Sequence, residues 1–270
     1  MEIQFAKWHG TGNDFILIDD RRSEFPADDL SKIQRLCDRH FGIGSDGLIL
    51  IQPPRSKESQ FHMEFFNPDG SKSFCGNGSR CAYAFWCELT GDRSAASFTA
   101  INVAMFTAEE NLHQGEWIED QVAITLPYVG FVDHGIDGPQ VDFINTGSPH
   151  YLVWVPEVRA VDLMVDAPPR RRSQKYGPGG CNVNYVQEMN GGLKMRTFER
   201  GVEAETLSCG SGVVAAALSA LYRRVVQSPV EVSAPGGELQ VEAKQVDREG
   251  FDHIRLIGPA VEVFKGSIQI

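Results

Sequence analysis

Cys75 and Cys209 are the residues of this chain whose surroundings favour reactive chemistry. Each opens a glycine-rich stretch, Cys75-Gly76-Asn77-Gly78-Ser79-Arg80 and Cys209-Gly210-Ser211-Gly212, and each stretch runs into an apolar helical pattern. A thiol at the start of a buried helix meets unpaired backbone N–H groups and the positive end of the helix dipole, so its anion is favoured. Typical thiol pKa values fall from ~8.5 to about 3.5–7.5 in such places, which makes a thiolate available near neutral pH. The glycines also let a ligand carboxylate come close to the amides.

Two such thiols support three chemistries: a redox pair, a nucleophile with a spare, or two acid–base groups on opposite sides of a substrate. Duplication favours the last. A nucleophilic hydrolase needs one attacking group with its own base and oxyanion donors, and gains nothing from a second copy of the whole half-site. Racemisation has mirror-related demands, because one group removes a proton from one face while the other donates to the opposite face. Cys37, Cys81 and Cys87 lack the glycine setting and read as small core residues.

The duplication reaches beyond the cysteines. They stand 134 positions apart, and the phenylalanines that open Phe66-Asn67-Pro68-Asp69-Gly70 and Phe198-Glu199-Arg200-Gly201 stand 132 apart, about half of the 270-residue length. Gly10-Thr11-Gly12-Asn13-Asp14-Phe15 lies over Asn145-Thr146-Gly147-Ser148-Pro149-His150, and Leu48-Ile49-Leu50-Ile51-Gln52 over Val183-Asn184-Tyr185-Val186-Gln187, each at an offset of 135. A period this long implies two similar domains rather than a solenoid. We expect one at 1–129 and one at 130–270, linked through the glycine-rich stretch 128–140, with the last strand able to return to the first domain.

The elements that must carry the thiols follow from periodicity. A first strand is expected at 15–19, a helix at 30–41 behind Asp28 or Asp29 and stopped by Gly42, and helices between Cys75 and Gly91 and at 210–222. The last is apolar on almost every face and must be surrounded. Strand-like segments at 48–51, 63–66, 102–107, 122–126, 151–155, 182–187, 194–198, 230–233, 239–243, 253–257 and 261–264 supply the surroundings. The expected fold is α/β: two pseudo-symmetric domains, each a curved, mostly antiparallel sheet wrapped around a central helix, with the active site in the cleft between them. Gly42-Ile43-Gly44-Ser45-Asp46-Gly47 matches G-x-G-x-x-G, but a helix precedes it and a strand follows, the reverse of a dinucleotide site, so it reads as a tight turn.

Composition narrows the class. With 25 basic and 36 acidic residues the formal charge is −11, which disfavours a nucleic-acid or anionic-membrane surface. The cluster Arg170-Arg171-Arg172 follows Pro168-Pro169 and reads as a solvated loop. No apolar run approaches ~18 residues and the N-terminal stretch has no signal-peptide pattern, so a soluble cytoplasmic protein is expected, its six cysteines reduced. No C-x-x-C pair occurs, and no metal site is expected.

His9-Gly10-Thr11-Gly12-Asn13-Asp14-Phe15, Asn67-x-Asp69-Gly70, Cys75-Gly76-Asn77-Gly78-x-Arg80, Pro149-His150, Asn182-Val183-Asn184, Glu199-Arg200-Gly201, Glu205-Thr206, Cys209-Gly210-Ser211-Gly212 and Pro235-Gly236-Gly237 together resemble the diaminopimelate epimerase family, from Met1 to the final strand. The resemblance implies a cofactor-independent isomerase that interconverts LL- and meso-2,6-diaminopimelate for lysine and peptidoglycan synthesis, with a homodimer as the assembly to test. It implies Cys75 and Cys209 as the two acid–base residues. Asn13, Asn67 and Asn182 would hold the polar ends of the substrate, and Glu199 and Arg200 its amino and carboxylate groups. The amides of Gly76, Asn77, Gly210 and Ser211 would cradle the reacting carboxylate, with His150 and Glu199 supporting the thiols. The chemistry agrees, since the enediolate-like charge formed on losing an α-proton needs donors aimed at the carboxylate.

Three departures from the family pattern stand out. Ser148 replaces the usual asparagine, Gly47 offers no side chain where some members have glutamine, and Val202-Glu203-Ala204 is one residue longer than the common form. Two rival readings are a proline racemase-like enzyme and a thiol redox protein. Asn13, Asn67, Asn182 and Arg200 argue against the first, since a second amino-carboxylate end needs its own partners.

Overall fold

The computed structural model describes residues 1–104, 107–177, 179–246 and 250–270. In chain order its elements are β1 (Glu2–Gly10), β2 (Asn13–Asp19), α1 (Leu30–Cys37), β3 (Gly47–Gln52), β4 (Phe61–Phe66), α2 (Gly76–Thr90), β5 (Ala96–Ala104), β6 (Thr107–Ile118) and β7 (Gln121–Leu126). There follow β8 (Val132–His134), β9 (Val141–Asn145), β10 (Pro149–Trp154), α3 (Leu163–Arg171), β11 (Asn182–Met189), β12 (Gly192–Glu199), β13 (Ala204–Thr206) and α4 (Gly210–Arg223). The chain ends with β14 (Val230–Ala234), β15 (Gly237–Gln245), β16 (Phe251–Gly258) and β17 (Val261–Gln269). Two compact units emerge, Met1–Ile124 with Gly258–Ile270, and Thr125–Ile257.

Each unit repeats one topology. In the first the strands run β17-β1-β2-β3-β4-β5-β6-β7, and successive pairings are antiparallel twice, parallel, antiparallel, parallel, then antiparallel twice. In the second, β8-β9-β10-β11-β12-β14-β15-β16 gives the same series of senses, with β13 pairing on the other end of β12. A parallel pair needs a crossover connection, and each crossover carries the matching helix. α1 and α3 serve the first parallel pair of their units, α2 and α4 the second. The mixed α/β fold is therefore pseudo-symmetric at the level of strand order.

The central helices are α2 and α4. Residues 76–87 of α2 and 212–220 of α4 are buried, so these helices have no solvent face over most of their length. Burying each Val or Leu of α4 contributes about 1.5–3 kcal/mol relative to leaving it exposed. Phe61 and Phe98 stack at 4.9 Å in the core of the first unit. α2 ends at Gly91, whose φ of 70° is a left-handed cap conformation that glycine adopts without strain.

Several local expectations change. The chain opens with β1, which pairs with β17 and β2, so the strand at 15–19 is the second and not the first. α1 stops at Cys37 rather than running to 41: Asp38 is extended, and its carboxylate accepts from the His40 and Phe41 N–H groups at 2.7 and 2.8 Å. The expected strand at 102–107 is the end of β5 and the start of β6, and residues 105 and 106 lie outside the described residues. Arg170 and Arg171 close α3 instead of forming a solvated loop. The Arg171 guanidinium is largely buried, 2.6 Å from the Glu203 carboxylate. The stretch expected as a linker carries β8 and belongs to the second unit.

Candidate active site

Cys75 and Cys209 occupy equivalent positions in their units. Each is the N-cap of its central helix, in extended conformation (φ −130°, ψ 109° and φ −118°, ψ 105°), so each sulfur sits where the first-turn amides have no carbonyl of their own helix to bind. Those amides include Gly76 and Asn77 on α2, and Gly210 and Ser211 on α4.

In the first half-site the Gly78 N–H donates to Cys75 Sγ at 3.4 Å, and the thiol donates to Asn13 Oδ1 at 3.8 Å. Asn13 comes from the start of β2. Its oxygen also accepts from Asn77 Nδ2 at 3.3 Å, and its nitrogen donates to Asp46 Oδ2 at 2.7 Å. Asp46 is paired in turn with Arg39, which also binds Asp14, and Asp14 lies 2.6 Å from the buried Lys7 ammonium. Burial raises the Asp14 carboxyl, but the hydrogen bonds and charges of Arg39 and Lys7 outweigh it and hold the pKa at about 2. Arg80, one turn into α2, is fully buried; it binds Thr11 Oγ1 at 2.9 Å and the Pro259 carbonyl at 3.3 Å, and burial pushes it down to about 10. Asn67 sits at the end of β4, where its Nδ2 donates to the Ser71 and Ser73 hydroxyls at 3.0 and 3.2 Å and pins its own turn.

The second half-site is built on β10, β11 and β12. Cys209 Sγ and Ser211 Oγ lie 3.6 Å apart, and Ser211 Oγ is 2.9 Å from His150 Nε2. His150 is completely buried, and burial, then the nearby Arg200 charge, push its pKa down to about 3, so the ring is neutral. Asn184 Nδ2 is 3.2 Å from His150 Nδ1. A Cβ on Gly212 would fall 2.6 Å from Asn184 Oδ1, so only glycine lets α4 settle this close to β11. Glu199, the last residue of β12, accepts from Thr206 Oγ1 at 2.7 Å. Asn182 accepts the Arg200 N–H at 2.8 Å and donates to Ser148 Oγ at 3.0 Å.

The departures have local explanations. Ser148 is gripped by Asn182 and approached by Arg200 Nη2 at 3.5 Å, so its short side chain is part of the network that positions the guanidinium. A side chain at Gly47 would meet the Phe65 ring at 2.4 Å, so aromatic carbon already fills that space. The longer loop is tied down by Glu203, which takes φ 59°, accepts the Gly201 N–H at 3.2 Å and pairs with Arg171.

Burial pushes Cys81 up to about 12 and Cys181 up to about 11, and also raises Cys37 and Cys87, so all four stay protonated. These four are free thiols. Among the described residues no group of three or more His, Cys, Asp or Glu side chains is placed to hold a metal ion, and no helix is long and apolar enough to cross a membrane.

Residues 5–100 and 143–263 match the family model described as diaminopimelate epimerase. The chain belongs to the diaminopimelate epimerase family. A diaminopimelate epimerase of Flavobacterium psychrophilum is 38% identical, with 98% of this chain and 100% of that protein covered. One of Aquifex aeolicus is 36% identical, with 98% of each chain covered. Among solved structures, a putative phenazine biosynthesis PhzC/PhzF protein from Clostridium difficile superposes with a TM-score of 0.71 at 12% identity, over 99% of this chain and all of that one. A hydroxyproline epimerase from Agrobacterium vitis gives 0.68 at 16%, over 99% and 92%. At such identities these two establish the fold, one shared with folds of two pseudo-symmetric domains.

Sequence reasoning named Cys75, Cys209, Asn13, His150 and Ser211 but assigned no role to Asp46, Asn184 or Thr197, which touch them or one another. The signal for Asn184 was present: Asn182 and Asn184 are two apart on one strand and so share a face.

Proposed function

We propose that this protein is a cofactor-independent isomerase that interconverts LL- and meso-2,6-diaminopimelate by a two-base mechanism, serving lysine and peptidoglycan biosynthesis in the cytoplasm. The observation that carries this reading is the paired N-cap: Cys75 and Cys209, on equivalent helices of two units with one topology, in a chain of this family.

One thiolate removes the α-proton while the other thiol delivers a proton to the opposite face. The charge that develops on the substrate carboxylate is met by the first-turn amides of Gly76, Asn77, Gly210 and Ser211, already oriented by their helices before the substrate arrives. Arg200, held through its backbone by Asn182 and desolvated enough to lower its pKa, takes a carboxylate as its counter-charge. Glu199 takes an ammonium group, and Asn13 and Asn67 hold the remaining polar atoms. Glu199 and His150 also support the thiols, His150 through Ser211.

The deciding assay offers LL-diaminopimelate to the purified protein and follows the meso isomer with a coupled dehydrogenase, with L-proline as the comparison substrate. Conversion of diaminopimelate and not of proline is the expected result. Conversion of proline alone would replace this reading with the proline racemase one. A homodimer is part of the proposal, and sedimentation at assay concentration tests it.

A further inference from the structure

The hydrogen bonds behind Cys209 run in one direction, and a single backbone carbonyl sets it. Asn184 Nδ2 lies 3.3 Å from the Tyr151 carbonyl oxygen, which can only accept, so the side of the carboxamide facing it is the NH₂ group. The opposite end agrees, because Thr197 Oγ1 donates to Asn184 Oδ1 at 3.0 Å across the β11–β12 register pair. The same NH₂ faces His150 Nδ1, which must therefore carry a lone pair. In a neutral imidazole the proton is then on Nε2, and Nε2–H donates to Ser211 Oγ. Ser211 accepts that bond and has one proton left, which points to Cys209 Sγ. His150 and Asn184 are completely buried, so water does not compete for either.

We propose that Asn184 is a positioning residue for the acid–base thiol: it fixes His150 as the Nε2–H tautomer and so commits the Ser211 hydroxyl as a donor to Cys209. This rests on the reading of Cys209 as one of the two acid–base groups. A hydroxyl donating to sulfur stabilises the thiolate over the thiol. If the imidazole carried its proton on Nδ1, Ser211 would donate to the bare Nε2 and turn away from Cys209. The first half-site has no equivalent hydroxyl at the matching position, where Asn77 stands in place of Ser211 and donates to Asn13.

The wild-type protein supplies the first test. Long-range ¹H–¹⁵N correlation of histidine-labelled protein, with the His150 signals assigned by their loss in His150→Gln, should show Nε2 protonated and Nδ1 bare from about pH 5 to about pH 8. A proton on Nδ1, in either a neutral or a charged ring, overturns the proposal.

The second test is a double-mutant cycle read at sulfur, by peptide mapping of iodoacetamide labelling at neutral pH. Asn184→Leu and Ser211→Ala should each slow alkylation of Cys209 by about tenfold, the loss expected when a thiolate gives up one donor, while Cys75 labels at its wild-type rate. The double variant should be no slower than Ser211→Ala alone, since Asn184 acts through that hydroxyl. Additive losses would mean that Asn184 acts by another route. The diaminopimelate assay is separate: a wild-type protein that fails it loses the functional reading, while the tautomer and the cycle still report on the chain behind Cys209.

Discussion

Asn13 Oδ1 and Cys75 Sγ stand 3.8 Å apart, and Asp46 decides which end of the Asn13 carboxamide faces the sulfur. A carboxylate can only accept, so the amide nitrogen turns to Asp46 and the oxygen is left for Cys75 and Asn77. Asp46→Ala removes that constraint and lets the amide rotate. The expected outcome is a drop in kcat/KM of about tenfold, with Tm little changed because Asp46 is a partly exposed side chain. Unchanged kinetics in a folded variant would mean that Asn13 is oriented by something other than Asp46.

Replacing either N-cap thiol should abolish epimerisation with the fold retained, because one face of the α-carbon then lacks its acid or base. Cys75→Ala and Cys209→Ala are the test variants and Cys81→Ala is the control, since that thiol is fully buried and held protonated. The measurement is turnover of LL-diaminopimelate beside far-UV circular dichroism. Equal damage from Cys81→Ala would remove the reason for singling out the duplicated pair.

Stability should fall in acid for a reason that can be traced to two carboxylates. Burial raises Glu64, but Lys72 at 3.0 Å and Arg55 at 2.9 Å outweigh it and hold the pKa at about 2, and Asp14 is held at about 2 by Arg39 and Lys7. A carboxyl whose pKa is depressed in the folded state contributes stability that is fully present above its unfolded pKa, near 4 to 4.5, and is lost as pH falls towards 2. Tm should therefore decline across that window. Glu64→Gln should lower Tm at neutral pH and flatten the acid limb, and parallel Tm-against-pH curves for the two proteins would exclude this account.

How much of this was legible in the sequence depended on how local each feature is. The two candidate half-sites were visible because a cysteine, its glycines and the apolar helix behind it are contiguous, and because they occur twice. β6 was missed for a physical reason: its alternation is inverted, with Leu112 exposed and His113 buried between Phe74 and Phe98 at ring distances of 4.6 and 5.4 Å. The arginines after Pro168-Pro169 read as a solvated loop, yet α3 runs through both prolines to Arg171, and the Pro168 carbonyl accepts from the capping Arg172 N–H at 3.2 Å. The shared face of Asn182 and Asn184 was in reach, but the rest of the chain behind Cys209 was not, since it depends on Asn184 lying opposite Thr197 on one side and next to β10 on the other. Register of that kind is set by three strands at once and leaves no spacing rule in any one of them.

The number of bases can be counted with solvent deuterium. If Cys75 and Cys209 act on opposite faces, LL-diaminopimelate turned over in deuterated water should give product that carries deuterium at the reacting carbon from the earliest times, while the remaining substrate stays largely unlabelled. The proton taken from one face stays on the thiol that took it and can return only to that face. The product receives its hydrogen from the other thiol, which has already exchanged with solvent. A single base that reached both faces would return the abstracted hydrogen to either side and carry protium into the product. Mass spectrometry of both isomers at low conversion separates the two cases, and a substantial unlabelled fraction in the early product would exclude a thiol on each face even for a chain with two N-cap cysteines.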